Sequence, residues 1–220
     1  MWETWGAASA FLMILLGAAG GALERALSRP WPTGSDPAFA DFLTQNRAPI
    51  LTQSILFLFS SAVLIWFLGY LRHYLLGAEG APGTLTNIVF GAGLVSVGLN
   101  MMGQCAQIVL TLPSQSSVAP GVASALEDLG LTTLAVANLP LVVMFTALAI
   151  LSLRKRAFPT WLGWIAVFTA ITSLLSVTSL IPADGALSPL GWLTNLLRLV
   201  PLVWYIPAAT AMIRKSRQTA

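Results

Sequence analysis

The sequence predicts an all-α fold, a polytopic bundle of six transmembrane helices. Of its 220 residues, 56% are hydrophobic and 9% are charged, whereas soluble domains carry about 25% charged residues. Six apolar segments are long enough to cross a bilayer, and their ends coincide with prolines or with basic residues. These observations indicate one transmembrane domain over residues 1–220 and exclude a soluble core.

The order of the segments predicts three tandem helical hairpins. The segments are expected at about 5–27, 49–76, 84–112, 131–153, 161–181 and 190–213. Each odd segment ends near a proline, and a second proline then opens a short amphipathic helix. These short helices are expected on the outer face, at 37–45, at about 120–129, and from Pro189 onward, where the helix merges with the sixth segment.

Basic residues predict the orientation in the membrane. They follow the even segments as Arg72, the run Arg154 to Arg156, and the C-terminal Arg214, Lys215 and Arg217. Because cytoplasmic loops are enriched in Lys and Arg, both termini are expected in the cytoplasm. The first segment follows MWETWG, which lacks the basic residues of a signal peptide, so it is expected to be retained as a span.

A polar stripe on the third segment is the strongest indication of a site. Its members recur at helical spacing and share one face: Ser96, Asn100, Gln104, Gln107 and Thr111. Amide groups facing lipid without partners are costly, so this face should point inward, with Val97 turned toward lipid. Two interpretations stay open, a lined pocket and hydrogen bonding between helices.

Charged, amide and aromatic residues near membrane depth form the rest of the expected site. Glu24, Glu127 and Asp128 are candidate catalytic acids. Arg198 is expected to form a bidentate pair with one of these carboxylates. The candidate ligand-binding residues are Gln53, Asn100, Gln104, Gln107, Asn138, Asn195, Arg198, Trp204 and Tyr205.

Several chemistries lack the residues that they need. One histidine, His73, is too few for bis-histidine haem or a histidine-rich zinc site. The two lysines, Lys155 and Lys215, lie at helix ends, which excludes a retinal Schiff base inside the bundle. No Gly-rich phosphate-binding motif and no basic stripe with aromatics is present, so neither a nucleotide nor a nucleic acid is expected. No metal or cofactor is therefore predicted, and the sequence does not define an oligomeric state.

One stretch resembles a known family. The segment LVVMFTALAILSLRKRAFPTWLGWIAVFTAITSLLS is similar to an uncharacterised bacterial family of six-span proteins with a domain of unknown function, most specifically over Arg154 to Trp164. The resemblance implies a bacterial inner-membrane protein. The Arg-x-x-Glu pair expected on the third span of that family is replaced here by Asn100 and Gln104. A looser resemblance is to small integral-membrane terpene cyclases, which use helix-borne carboxylates.

Three classes of function remain. The first is an outer-facing pocket for a lipid-like ligand, such as an isoprenoid or another amphiphile, with acid-catalysed cyclisation as its chemistry. A carboxyl group could protonate the substrate, and aromatic walls could stabilise the carbocation. The second is a non-enzymatic accessory subunit of a membrane complex. The third, a small transporter, is disfavoured because the inner halves of the spans are nearly apolar.

Overall fold

The computed structural model describes residues 2–27, 37–112, 120–181, 185–188 and 191–219, and those residues contain helices but no strand. The helices are α1 (Trp2–Ala26), α2 (Pro37–Gln45), α3 (Arg47–Glu79), α4 (Thr84–Leu110), α5 (Pro120–Val136), α6 (Asn138–Lys155), α7 (Thr160–Thr178) and α8 (Trp192–Thr219). Six helical segments are long and apolar enough to cross a membrane, with α5 and α6 together forming one of them. The all-α, six-span prediction is therefore confirmed.

The spanning helices form a closed ring. Each packs on the next in the order α1, α3, α4, α6, α7 and α8, and α8 returns to pack on α1. Helices α1 and α3 run antiparallel, since Gly6 of α1 lies against Tyr70 of α3 whereas Gly20 lies against Phe57. The pairs α1–α3, α4–α6 and α7–α8 correspond to the three predicted hairpins.

The short helix α2 has the bounds that its proline predicts, Pro37–Gln45. Its Phe39 and Leu43 are buried in a small apolar cluster with Ile50 of α3 and Leu110 of α4. Leu126 of α5 packs against the same cluster. Helix α2 is thereby fixed to one end of the bundle, where α1 ends and α3 begins.

The predicted boundary between a short helix at 120–129 and a fourth span at 131 is wrong. Helix α5 continues to Val136, and Ala137 alone separates it from α6. The break falls here because Pro140 has no amide hydrogen to bond the carbonyl of Val136. Asn138 bridges the break by donating hydrogen bonds from its Nδ2 to the carbonyls of Leu134 (2.9 Å) and Ala135 (3.3 Å).

The last helix was expected to begin at Pro189. Pro189 itself lies outside the described residues, and α8 begins at Trp192.

The expectation that Val97 faces lipid is also wrong. Its side chain is 2% exposed, whereas Val95 is 56% exposed and Met102 50%. Helix α4 packs on both α3 and α6, and its Gly93 lies against Leu68 on one side and Met144 on the other. Two neighbours cover a wider arc of α4 than the polar stripe alone, so the residue beside Ser96 is buried too.

Candidate ligand-binding cavity

A cavity of about 590 Å³ lies inside the ring, lined by residues of α1, α3, α4, α5, α6 and α8. Nine of the twelve predicted site residues line it: Glu24, Asn100, Gln104, Gln107, Glu127, Asn138, Asn195, Arg198 and Tyr205. Ser96 of the polar stripe lines it as well. The helical spacing on α4 therefore places four members of the stripe on one cavity wall.

The lining changes character along the bundle. At the end where α2 packs, it carries the charged residues Glu24, Arg25, Glu127 and Arg198. Toward the middle of the helices the lining residues carry no charge, and apolar residues such as Met13, Leu64, Val97 and Leu141 lie beside the polar Ser60, Ser96 and Asn138. Eleven residues separate Met13 from Glu24 on α1, which is roughly 16 Å at 1.5 Å per residue. The cavity thus has a charged end and an uncharged end with apolar and neutral polar walls.

Part of the polar stripe holds helices together. Ser96 Oγ donates to the carbonyl of Ala137 at 2.9 Å, where α5 meets α6. Ser54 Oγ of α3 donates to Oε1 of Gln107 at 3.2 Å. Asn100 Nδ2 donates within α4, to the carbonyl of Ser96 at 2.9 Å. Thr111, the last member, is not part of the lining and donates to the carbonyl of Ile108 at 2.7 Å. The stripe therefore both lines the cavity and joins helices, and Ser96 and Gln107 do both.

Gln104 differs from its neighbours on the stripe. Its side chain is 8% exposed and lines the cavity, but its Oε1 has no hydrogen-bond partner among the described residues. A buried amide oxygen without a donor is unfavourable by about 1–3 kcal/mol. Gln104 lines the cavity, and a hydroxyl or N–H group that displaced the atoms covering its Oε1 would satisfy this acceptor.

Arg198 does not form the predicted bidentate pair with a carboxylate of the described residues. Its side chain is half-buried, and its Nε and Nη2 have no hydrogen-bond partner there. A bidentate contact uses Nη2 together with Nε or with Nη1, so an unbonded Nη2 excludes it. The carboxylate of Glu24 nevertheless acts on the Arg198 guanidinium through its charge. The pairing is thus electrostatic and leaves two donors unused.

Three predicted site residues do not line the cavity. Asp128 is exposed, and it follows Glu127 by about 100° around the helix. Gln53 is 2% exposed but lies outside the lining. Trp204 is fully buried among Phe145, Phe158 and Tyr205, and its Nε1 donates to the carbonyl of Leu162 at 3.3 Å. Trp204 therefore belongs to the packing of the core.

The lining includes residues that were not predicted. Ser60 and Ser61 of α3 form part of the wall, and Ser60 Oγ donates to the carbonyl of Met13 at 2.8 Å. Gly17 and Gly21 of α1 also contribute. The signals were a serine pair inside an apolar run and two glycines four residues apart on one helical face. Arg25 is next to a predicted residue and lines the charged end.

These features define a polytopic α-helical protein in which five of the six spanning segments line an amphipathic cavity. Across the described ranges, no group of three or more His, Cys, Asp or Glu side chains is placed to hold a metal ion. Comparisons with protein-family models, with curated proteins and with solved structures found no significant match to this chain. The resemblances to the bacterial six-span family and to terpene cyclases therefore stay predictions.

Proposed function

We propose that this chain is a multi-pass protein of a bacterial inner membrane that binds a lipid-like ligand in the cavity of its helix ring. The observation that carries the proposal is the cavity itself, which has a volume of about 590 Å³. Small-molecule sites occupy about 300–1,000 Å³ and combine apolar walls with a few convergent polar groups. A bundle whose polar residues served only to join helices would be filled.

A cavity-filling substitution tests the proposal. Gly21 lines the cavity, and a Cβ at this position would meet no heavy atom within 4 Å. Gly21→Leu should therefore project into the cavity and displace a ligand. Gly98→Leu is the matched control, because Gly98 is exposed on α4 and also has open space around it. Leucine replaces glycine in a helix in both variants, so helix propensity changes equally.

The measurement is the lipid that copurifies with each full-length protein, extracted and quantified by mass spectrometry per mole of protein. The wild type and Gly98→Leu should carry the same lipid species in the same amount. Gly21→Leu should carry several-fold less while unfolding at an equal or higher temperature. Equal lipid in all three proteins would count against a ligand in the cavity.

Acid-catalysed cyclisation of an isoprenoid is the reaction that we propose for this cavity if the protein is an enzyme. The presence of two carboxyl groups in the lining, Glu24 and Glu127, with Tyr205 further in, supports it. Asp128 is left out because it lies outside the lining. Cyclisation is an isomerisation, so a linear polyprenyl alcohol should yield a product of unchanged mass and altered retention. Glu24→Gln and Glu127→Gln should each be compared with the wild type for the amount of this product. If incubation with the wild type leaves the retention time of the alcohol unchanged, this reaction is excluded for that substrate.

A non-enzymatic accessory subunit is the second candidate. The hydrogen bonds from Ser96 to Ala137 and from Ser54 to Gln107 favour it, because polar residues of the cavity wall are used there to join helices. This candidate predicts that extraction yields no enriched lipid and that the protein copurifies with another chain from its native membrane.

A further inference from the structure

We propose that the ligand of this cavity is an amphiphile with an anionic headgroup, a carboxylate or a phosphate, which binds the unused donors of Arg198. The inference rests on the proposed function, since it names the chemical class of the ligand that the same cavity would bind. It goes further by assigning the ligand's charge and its direction in the cavity.

The free atoms of Arg198 have the geometry of an oxyanion site. Nε and Nη2 lie on the same edge of the planar guanidinium, and their hydrogens point in parallel directions. Two oxygens of one carboxylate or phosphate match this edge, and such paired contacts are among the strongest hydrogen bonds in proteins. Both nitrogens are buried and have no partner among the described residues. Protein atoms cover both nitrogens in this structure, so an anion that moves these atoms aside would satisfy both donors at once.

The charge of Arg198 gives a second reason for an anion. A guanidinium that is removed from water needs an opposite charge or hydrogen bonds to offset its desolvation. Glu24 supplies part of this through its charge and Glu127 lies at the same end, but neither carboxylate bonds Nε or Nη2. A neutral headgroup would fill the two donors without offsetting the charge, and a cationic headgroup would do neither.

The gradient of the lining sets the direction of the ligand. Arg198 lies at the charged end, and toward Val97 and Leu141 the walls carry no charge, while the donors of Ser96 and Asn138 there are bonded to backbone carbonyls. A hydrocarbon tail placed along these walls gains about 0.8 kcal/mol for each buried CH₂ group. Between the two ends, the unpartnered Oε1 of Gln104 can accept from a hydroxyl or amide next to the headgroup. The headgroup should thus lie at the end capped by α2, with the tail toward the middle of the bundle.

The test compares four ligands with one tail and different headgroups. Tritiated hexadecanoic acid is bound to the full-length protein in phosphatidylcholine nanodiscs, with empty nanodiscs as the control for partitioning. It is then displaced by hexadecanoic acid, hexadecyl phosphate, hexadecanol or hexadecylamine, and separately by inorganic phosphate. The proteins compared are the wild type, Arg198→Met, Arg198→Lys and Arg47→Met. Arg47 is the matched control because it lies at the same end of the bundle, exposed and outside the lining.

The two anionic amphiphiles should displace the probe at concentrations about tenfold or more below hexadecanol in the wild type, as expected for charge-assisted hydrogen bonds. Arg47→Met should behave like the wild type. Arg198→Met should bind all headgroups about equally. Arg198→Lys keeps the charge but loses the paired edge, so it should lose most of the preference. If Arg198→Met does not fold, Arg198→Lys decides the outcome alone.

The other outcomes separate this inference from the proposed function. Equal displacement by hexadecanol and hexadecyl phosphate in the wild type would overturn the anionic headgroup but leave a lipid-binding cavity. Stronger displacement by hexadecylamine would assign the charged end to a cation and would also overturn it. An anionic preference that persists in Arg198→Lys and Arg198→Met would place the recognition elsewhere. Displacement by inorganic phosphate as effective as by hexadecyl phosphate would identify a free anion as the ligand. No saturable binding of the probe would contradict both proposals.

Discussion

At the scale of single residues, the cavity wall contains polar groups that stabilise the fold and polar groups that do not. Ser96 is 3% exposed, and its hydroxyl joins α4 to the carbonyl of Ala137. Gln104 lies two turns further along the same face, 8% exposed, and its Oε1 has no partner among the described residues. The two residues have similar burial, so hydrogen bonding is what distinguishes them.

Substitution of these two residues should therefore have opposite effects on the ligand-free protein. Gln104→Met removes an unsatisfied acceptor and keeps the side chain's length, so the unfolding temperature should stay the same or rise. Ser96→Ala leaves the carbonyl of Ala137 without its donor and should lower the free energy of unfolding by about 1 kcal/mol. Thermal unfolding of delipidated protein in one detergent checks both. A loss for Gln104→Met as large as that for Ser96→Ala would mean that Gln104 is satisfied after all.

At the scale of elements, the junction of α3 and α4 is held by a carboxylate. Oε1 of Glu79 accepts from the backbone N–H of Leu85 at 3.0 Å, and Oε2 accepts from the N–H and hydroxyl of Thr86 at 2.8 and 2.6 Å. The first N–H groups of a helix have no partner within it, and a negative charge there also interacts favourably with the helix dipole. Glu79 therefore caps α4 and fixes the angle at which the stripe-bearing helix leaves α3.

Glu79→Ala should destabilise the protein by about 0.5–2 kcal/mol, the usual effect of losing a capping side chain. Glu79→Gln should cost less, since the amide retains one acceptor oxygen while the charge is lost. Asp41→Asn is a suitable comparison, because Asp41 is exposed on α2. Chemical or thermal denaturation of the three variants measures the order of their stabilities. A Glu79→Ala protein as stable as Asp41→Asn would show that the cap contributes nothing.

The same scale shows what the sequence could predict. Span positions and the inward face of α4 follow from hydrophobic runs and from the helical period, which depend only on local order in the chain. The sequence does not predict whether Trp204 or Tyr205 lines the cavity. Two adjacent residues of a helix point about 100° apart, and only the positions of the neighbouring helices decide which of them faces inward. The missing bidentate partner of Arg198 depends likewise on the relative positions of α1, α5 and α8. The end of α5 was misplaced because Gly130 alone does not stop a helix, whereas Pro140 interrupts one.

At the scale of the whole molecule, the closed ring explains how a small protein can hold a cavity inside a membrane. Each spanning helix has two neighbours in the ring, so large apolar side chains such as Phe11, Phe59 and Phe168 remain exposed on the outer surface. In lipid these surfaces need no further cover, and the backbone is satisfied within each helix. The interior can then carry amides such as Gln104, which the ring separates from the hydrocarbon, while the charges lie at one end of the cavity.

The orientation of this ring decides which side of the membrane the charged end faces. The basic residues Arg154, Lys155 and Arg156 follow α6 or end it, at the bundle end opposite α2, and they predict a cytoplasmic location for that end. Gln45 on α2 and Thr160 at the start of α7 are both exposed, so each can report one side. Cys105, the single cysteine, is itself exposed and is first replaced by alanine.

In that background, Gln45→Cys in intact cells should react with a membrane-impermeant maleimide, whereas Thr160→Cys should react only after the membrane is opened. The expectation follows from the excess of Lys and Arg on one side, which sets orientation for short loops. Labelling of Thr160→Cys but not of Gln45→Cys in intact cells would show that the predicted orientation is reversed. The cavity's charged end would then face the cytoplasm, and an anionic amphiphile would have to bind from the inner side of the membrane.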